Sequence, residues 1–123
     1  MKFPKFYFSP ILALLISSAA LAQDFPEGSA QPNNDEIRKY LEDKVLDSKT
    51  ADGTTWRLEY KSNGYFFINT SRRFNSDGKW QIEDGKLCGQ LKGRDRACNE
   101  VRMHNGILLY KRDSGEIISI VQR

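Results

Sequence analysis

Residues 52–70 read DGTTWRLEYKSNGYFFINT. In this stretch Trp56, Leu58 and Tyr60 alternate with Arg57, Glu59 and Lys61, the period of two that gives a strand one apolar and one wet face. Asn63-Gly64 then supplies the strongest short hairpin signal, and Tyr65-Phe66-Phe67-Ile68 begins the return strand. The same grammar continues downstream. Turn pairs at Asp77-Gly78, Asp84-Gly85, Asn105-Gly106 and Ser114-Gly115 separate the strand-like segments 79–83, 86–91, 98–103, 107–111 and 116–121. Short strands at such regular spacing predict an antiparallel meander of about seven strands, either a curved sheet or a small barrel. Unpaired edges would be a liability in it, so closure or helix cover is expected.

Upstream the period changes. Ile37, Tyr40, Leu41 and Val45 share one face of a helix over residues 35–46, opposite Arg38, Lys39, Glu42 and Asp43. Asn33 stands three residues before Glu36, in the arrangement of a capping box. The fold class is therefore α+β, mostly β, with one N-terminal amphipathic helix and a single domain over residues 35–123. Residues 23–34 (QDFPEGSAQPNN) are polar and rich in Pro, Gly and Asn, and read as a flexible tether. Barrels of about eight strands are just wide enough for side chains to fill. Trp56, Tyr60, Phe66, Phe67, Trp80 and Tyr110 are expected to do so, which leaves recognition to the loops.

Residues 1–22 carry the marks of a cleaved leader. Lys2 and Lys5 precede an apolar run over residues 11–16, and Ala20-Leu21-Ala22 fits the small-residue cleavage pattern. The run is too short to span a bilayer, so no transmembrane segment is expected after cleavage near Ala22. The mature chain is thereby expected in the periplasm or secreted. Without Lys2 and Lys5, 17 of the 19 basic residues remain against 16 acidic ones. This near balance argues against nucleic acid as partner, which normally demands a concentrated basic excess. Lys92, Arg94 and Arg96 nevertheless crowd one hairpin and form the candidate partner-binding cluster.

An even count of two cysteines in an exported chain reads as a disulfide, Cys88 to Cys98. Metal binding is not expected, because CxxC spacing and a carboxylate ladder are both missing. His104 is the sole histidine, and no G-x-S-x-G or comparable signature accompanies it. No catalytic residue and no cofactor is therefore assigned, and a non-enzymatic role is expected.

Asn63-Gly64, residues 77–88 (DGKWQIEDGKLC), Cys98 and Val101 together resemble a family of small exported proteobacterial proteins of unknown function. That family shows a G-x-W, L-C and C series behind a signal peptide. The resemblance implies a periplasmic β-rich domain and brings no catalytic residues with it. A second similarity is to periplasmic inhibitors of C-type lysozyme, which present a Ser-Gly-x-x-Tyr-type loop. Here Ser62-Asn63-Gly64-Tyr65 stands in that place with the three residues closer together. The expected function is an extracytoplasmic binding module acting through surface loops on an unknown protein or an anionic envelope component. The alternative is an inhibitor of a hydrolase such as C-type lysozyme, working through Ser62 and Tyr65.

Overall fold

The computed structural model describes residues 23–123; the expected signal peptide, residues 1–22, lies outside the described residues. Eight antiparallel strands follow in chain order: β1 (Val45–Lys49), β2 (Thr55–Tyr60), β3 (Tyr65–Thr70), β4 (Asn75–Glu83), β5 (Lys86–Leu91), β6 (Ala97–His104), β7 (Ile107–Lys111) and β8 (Ile117–Gln122). Each pairs with its chain neighbours, and β8 returns to β1, so the meander closes into a barrel. The last pairing is short. Only Leu46↔Gln122 and Asp47↔Val121 are in register there. It is reinforced by Ser48 Oγ donating to the Ser119 carbonyl (2.8 Å) and by Arg123 gripping both carboxylate oxygens of Asp47 (2.6 and 3.0 Å). That guanidinium holds the Asp47 carboxyl below its ordinary range.

The turn chemistry explains the order of the strands. Asp84-Gly85 and Asn105-Gly106 have positive φ at both residues (49° and 74°, 51° and 77°), the two-residue turn whose twist matches the flanking strands. Asn63-Gly64 forms a longer loop in which only Gly64 is left-handed (φ 91°), and the Lys61 N–H donates to the Tyr65 carbonyl at 2.8 Å. Asp77-Gly78 is no turn. It lies inside β4, and a side chain on Gly78 would run into the backbone of Gln90 and Leu91. Glycine inside a strand here marks close approach of a neighbouring backbone.

Alternation puts Leu58, Ile68, Ile82, Leu87, Val101 and Leu108 inside and leaves Arg57, Asp77, Lys79, Glu100 and Arg102 facing outward. Apolar inside and charged outside is the reverse of what a membrane-spanning barrel presents to lipid. Among the described residues no helix is long and apolar enough to cross a membrane. Phe67 departs from its expected place. Its neighbours Phe66 and Ile68 point inward, so Phe67 faces outward and is 38% exposed.

The helix α1 (Asn34–Leu41) carries the expected capping box, with Glu36 N–H donating to Asn33 Oδ1 at 2.8 Å. It stops five residues short of the expected end. Asp43 takes a left-handed conformation (φ 57°) and its N–H donates to the Tyr60 carbonyl at 2.8 Å. Residues 45–49 are thereby released to form β1, the strand the sequence reading lacked. A residue such as Val45 fits either period, and the need of β2 and β8 for a shared partner decides it. Ile37 and Leu41 are wholly buried against the barrel core, so α1 plugs one end. Tyr40 Oη ties it down by donating to the Ile120 carbonyl at 2.6 Å.

Residues 23–34 are not a tether. The Gln23 N–H donates to Gly115 O (3.1 Å), and its side-chain oxygen accepts from the Ile117 N–H (2.8 Å). The Phe25 ring lies under both Arg102 and Lys111, at 4.9 and 5.9 Å. Ala30 exchanges two backbone hydrogen bonds with Met103, where β6 runs on beyond the end of its pairing with β5. The segment is a strap down the outside of β6–β8. Its Pro, Gly and Asn content signals irregular backbone, and satisfied backbone groups hold that irregular path in place.

Candidate functional site

Up-and-down topology puts α1 at the same end as the β2–β3, β4–β5 and β6–β7 turns. The opposite end is ringed by the β1–β2, β3–β4, β5–β6 and β7–β8 loops, and there the interior opens. A cup of about 210 Å³ runs down from this mouth. Its floor and walls are Leu58, Tyr60, Phe66, Ile68 and Tyr110, with Trp56 and Leu91 nearer the lip. The expectation that aromatic side chains fill the barrel is therefore corrected. Phe67 faces out, and the register pair Gly89↔Ala97 directs two nearly absent side chains inward. Phe66 leans into part of that gap, since a Cβ on Gly89 would sit 3.3 Å from its ring. The remainder stays open.

Two phenols define the chemistry of the cup. Tyr60 is only 7% exposed, stacks on Phe66 at 5.6 Å and meets Trp80 edge-on at 5.4 Å. Its hydroxyl makes no hydrogen bond to any described residue, and it is not sealed off, because it borders the cup. Tyr110 borders it too. A hydroxyl on an open cup can donate to a bound molecule or to water, and covering it with a ligand that lacks an acceptor would cost about 1–3 kcal/mol. Burial pushes the Tyr60 phenol well above its ordinary value, and Tyr110 beside it adds to the shift. Burial first, and the Asp113 carboxylate second, push Tyr110 up to about 12. The cup thus resists negative charge.

This has a measurable consequence. In the unfolded chain both phenols ionise near pH ~10, whereas in the folded protein Tyr110 holds its proton up to about 12 and Tyr60 holds its own too. The folded state then binds more protons than the unfolded one, so stability falls as pH rises above about 10. Tyr60→Phe/Tyr110→Phe should flatten that slope in denaturant titrations at increasing pH. An equal slope in the variant would show that these phenols do not titrate on unfolding.

The lip is tied together by Asn99, which is buried and donates from Nδ2 to the Lys111 carbonyl (2.9 Å) and to Asp113 Oδ1 (2.8 Å). Arg112 packs over Trp56 at 4.9 Å and pairs with Glu116. Lys92, Arg94 and Arg96 share the β5–β6 loop but do not converge. Arg94 stands at the lip over the Phe74 ring at 5.1 Å, while Arg96 pairs with Glu83 at 2.6 Å. Lys92 lies in a shallow outer dip with Tyr65 and Lys79. The Cys88–Cys98 disulfide is formed, between residues directly opposite on β5 and β6 with Cα atoms 3.9 Å apart. It lies on the outer face immediately behind Gly89 and Ala97, and so clamps the hairpin that forms this part of the lip. Glu83 approaches both sulfurs, but they are bonded to each other and Glu83 is taken by Arg96.

Ser62 and Tyr65 are exposed at the plugged end, where the Ser62 N–H donates to Asp43 Oδ1 (3.0 Å) and Lys79 lies over the Tyr65 ring at 5.9 Å. His104 is half-buried at the same end, and its Nδ1 has no hydrogen-bond partner among the described residues. A second hollow of about 740 Å³ follows the outside of the β1–β8 seam, but it is wide open and lined by outward residues such as Lys49, Arg57 and Arg123. Comparison of the chain with protein-family models, curated proteins and solved structures finds no match.

Tyr60 and Tyr110 were visible in the sequence as core aromatics, and nothing local marked them as cup residues. The signal that could have found the cup is the small pair Gly89 and Ala97, each next to a bridged cysteine and pointing the opposite way.

Proposed function

We propose that this chain is a non-enzymatic binding module that works outside the cytoplasm and takes a small apolar molecule into the open end of its barrel. One observation carries the reading: α1 stops one end, while the other opens into a largely apolar cup bordered by the two phenols of Tyr60 and Tyr110. Ligand pockets in general pair apolar walls with a few convergent polar groups, and the cup has that composition. The disulfide, the leader-like residues 1–22 and the family resemblance of residues 77–88 support an oxidising, extracytoplasmic setting. Arg94 at the lip is the member of the cationic trio that a partner at this mouth would meet.

Native mass spectrometry of protein exported by its own leader, incubated with an organic extract of the cell envelope, tests the reading. The expected result is a discrete added mass in the wild type that is lost in Ala97→Trp, which fills the lip from a half-buried position. No added mass, or the same one in both proteins, would remove the cup as the binding site. The inhibitor reading rests on the exposure of Ser62 and Tyr65. It requires lysozyme inhibition that disappears in Ser62→Ala/Tyr65→Ala and persists in Ala97→Trp.

A further inference from the structure

Building on the cup reading, we infer that the ligand is a neutral molecule of single-ring size whose buried end carries a hydrogen-bond-accepting oxygen, received by the hydroxyls of Tyr60 and Tyr110. Size comes first. An engineered apolar cavity of about 150 Å³ accommodates benzene. The cup, at about 210 Å³, therefore has room for a ring and a short substituent, and too little for a steroid or a full acyl chain.

Polarity comes next. The walls below the lip are hydrocarbon and aromatic ring, and the polar atoms that reach the depth are phenolic oxygens. A phenol can donate one hydrogen bond, and the Tyr60 hydroxyl borders the cup, where it can meet a ligand or water. A ligand lacking an acceptor would leave that hydroxyl dry and unpaired, which is the more costly arrangement. Charge comes last. The cations nearest the cup, Arg94 and Arg112, are held at the lip over Phe74 and Trp56, and Arg112 is also neutralised by Glu116. A carboxylate pushed to the floor would be stripped of water with no cation beside it, at heavy cost. The acceptor is thus a carbonyl, ether or hydroxyl oxygen.

Three isosteric probes separate these requirements in calorimetric titrations of the disulfide-intact protein: acetophenone, isopropylbenzene and benzoate. The ketone and the hydrocarbon differ in the cost of leaving water, so the comparison runs across variants, where that difference cancels. Tyr60→Phe/Tyr110→Phe keeps both rings and removes only the hydroxyls. It should weaken acetophenone by about tenfold, the loss of one net hydrogen bond, and leave isopropylbenzene unchanged or tighter. Benzoate should bind the wild type more weakly than acetophenone. Equal weakening of ketone and hydrocarbon, no weakening of either, or tighter binding of benzoate than of the ketone would overturn the inference. So would a wild type that binds none of the three. If the added mass is nevertheless lost in Ala97→Trp, the cup remains the binding site and only its assigned chemistry falls. If both experiments fail, the cup reading falls with it.

Discussion

Trp80→Ala should lower the unfolding free energy by about 4 kcal/mol, the upper range for emptying a large buried site. Against a total of about 5–15 kcal/mol for a domain of this kind, that loss leaves a marginal fold. Trp80 joins three parts of the molecule at once. It is 6% exposed in the core of β4, its indole N–H donates to the Lys61 carbonyl at 2.7 Å, and Arg38 of α1 lies over its ring at 5.4 Å. Its edge contact with Tyr60 also supports the floor of the cup. Trp80→Phe keeps much of the packing and removes one of the two hydrogen bonds at the Lys61 carbonyl, which still accepts from the Gly64 N–H at 3.0 Å, so it should cost only about 1–2 kcal/mol. Urea unfolding followed by far-ultraviolet circular dichroism, which does not depend on the missing indole, gives both values. Equal losses for the two variants would mean that packing volume at this site is not what Trp80 contributes.

Removing the bridge with Cys88→Ala/Cys98→Ala should cost about 3 kcal/mol, the loop-closure entropy for a cross-link of this span. The sequence separation is 10, so the closed loop is short and the gain modest beside that of a long-range bridge. The effect on binding should exceed the effect on fold. The released hairpin includes Arg94, Asp95 and Ala97, all of which border the cup. Denaturation midpoints with and without reductant, measured beside probe affinity, check both parts. An unchanged midpoint on reduction would show that strand pairing alone holds the hairpin.

Much of this architecture was legible because it is local. Most hairpins announce themselves through adjacent residues such as Asn105-Gly106, and the alternation of Trp56, Leu58 and Tyr60 fixes which face goes inward; the β3–β4 turn is the exception, made at residues 71–74 rather than at Asp77-Gly78. Three features were hidden because they depend on residues far apart. β1 looked like the tail of a helix, and only its double pairing with β2 and β8 reveals it as a strand. The strap looked like a linker, because its partners Met103 and Ile117 lie 73 and 94 residues away from Ala30 and Gln23. The cup escaped because a list of inward side chains does not report the volume they leave empty. That volume follows from the Gly89↔Ala97 pairing across two strands. The cationic cluster at Lys92, Arg94 and Arg96 was read from composition, which does not reveal that Arg96 is already paired with Glu83.

The seam between β1 and β8 also sets the order of assembly. Every other strand pair joins chain neighbours, so each can zip from its own turn, while the grip of Arg123 on Asp47 spans 76 residues. Closing so large a loop carries an entropic cost that the short seam recovers only after the intervening hairpins stand in place. A chain delivered N-terminus first therefore has no completed barrel until its final strand is free. Until then it remains an open ladder of hairpins with an unsealed core, and the last few residues act as the latch that turns a pliable chain into a rigid vessel.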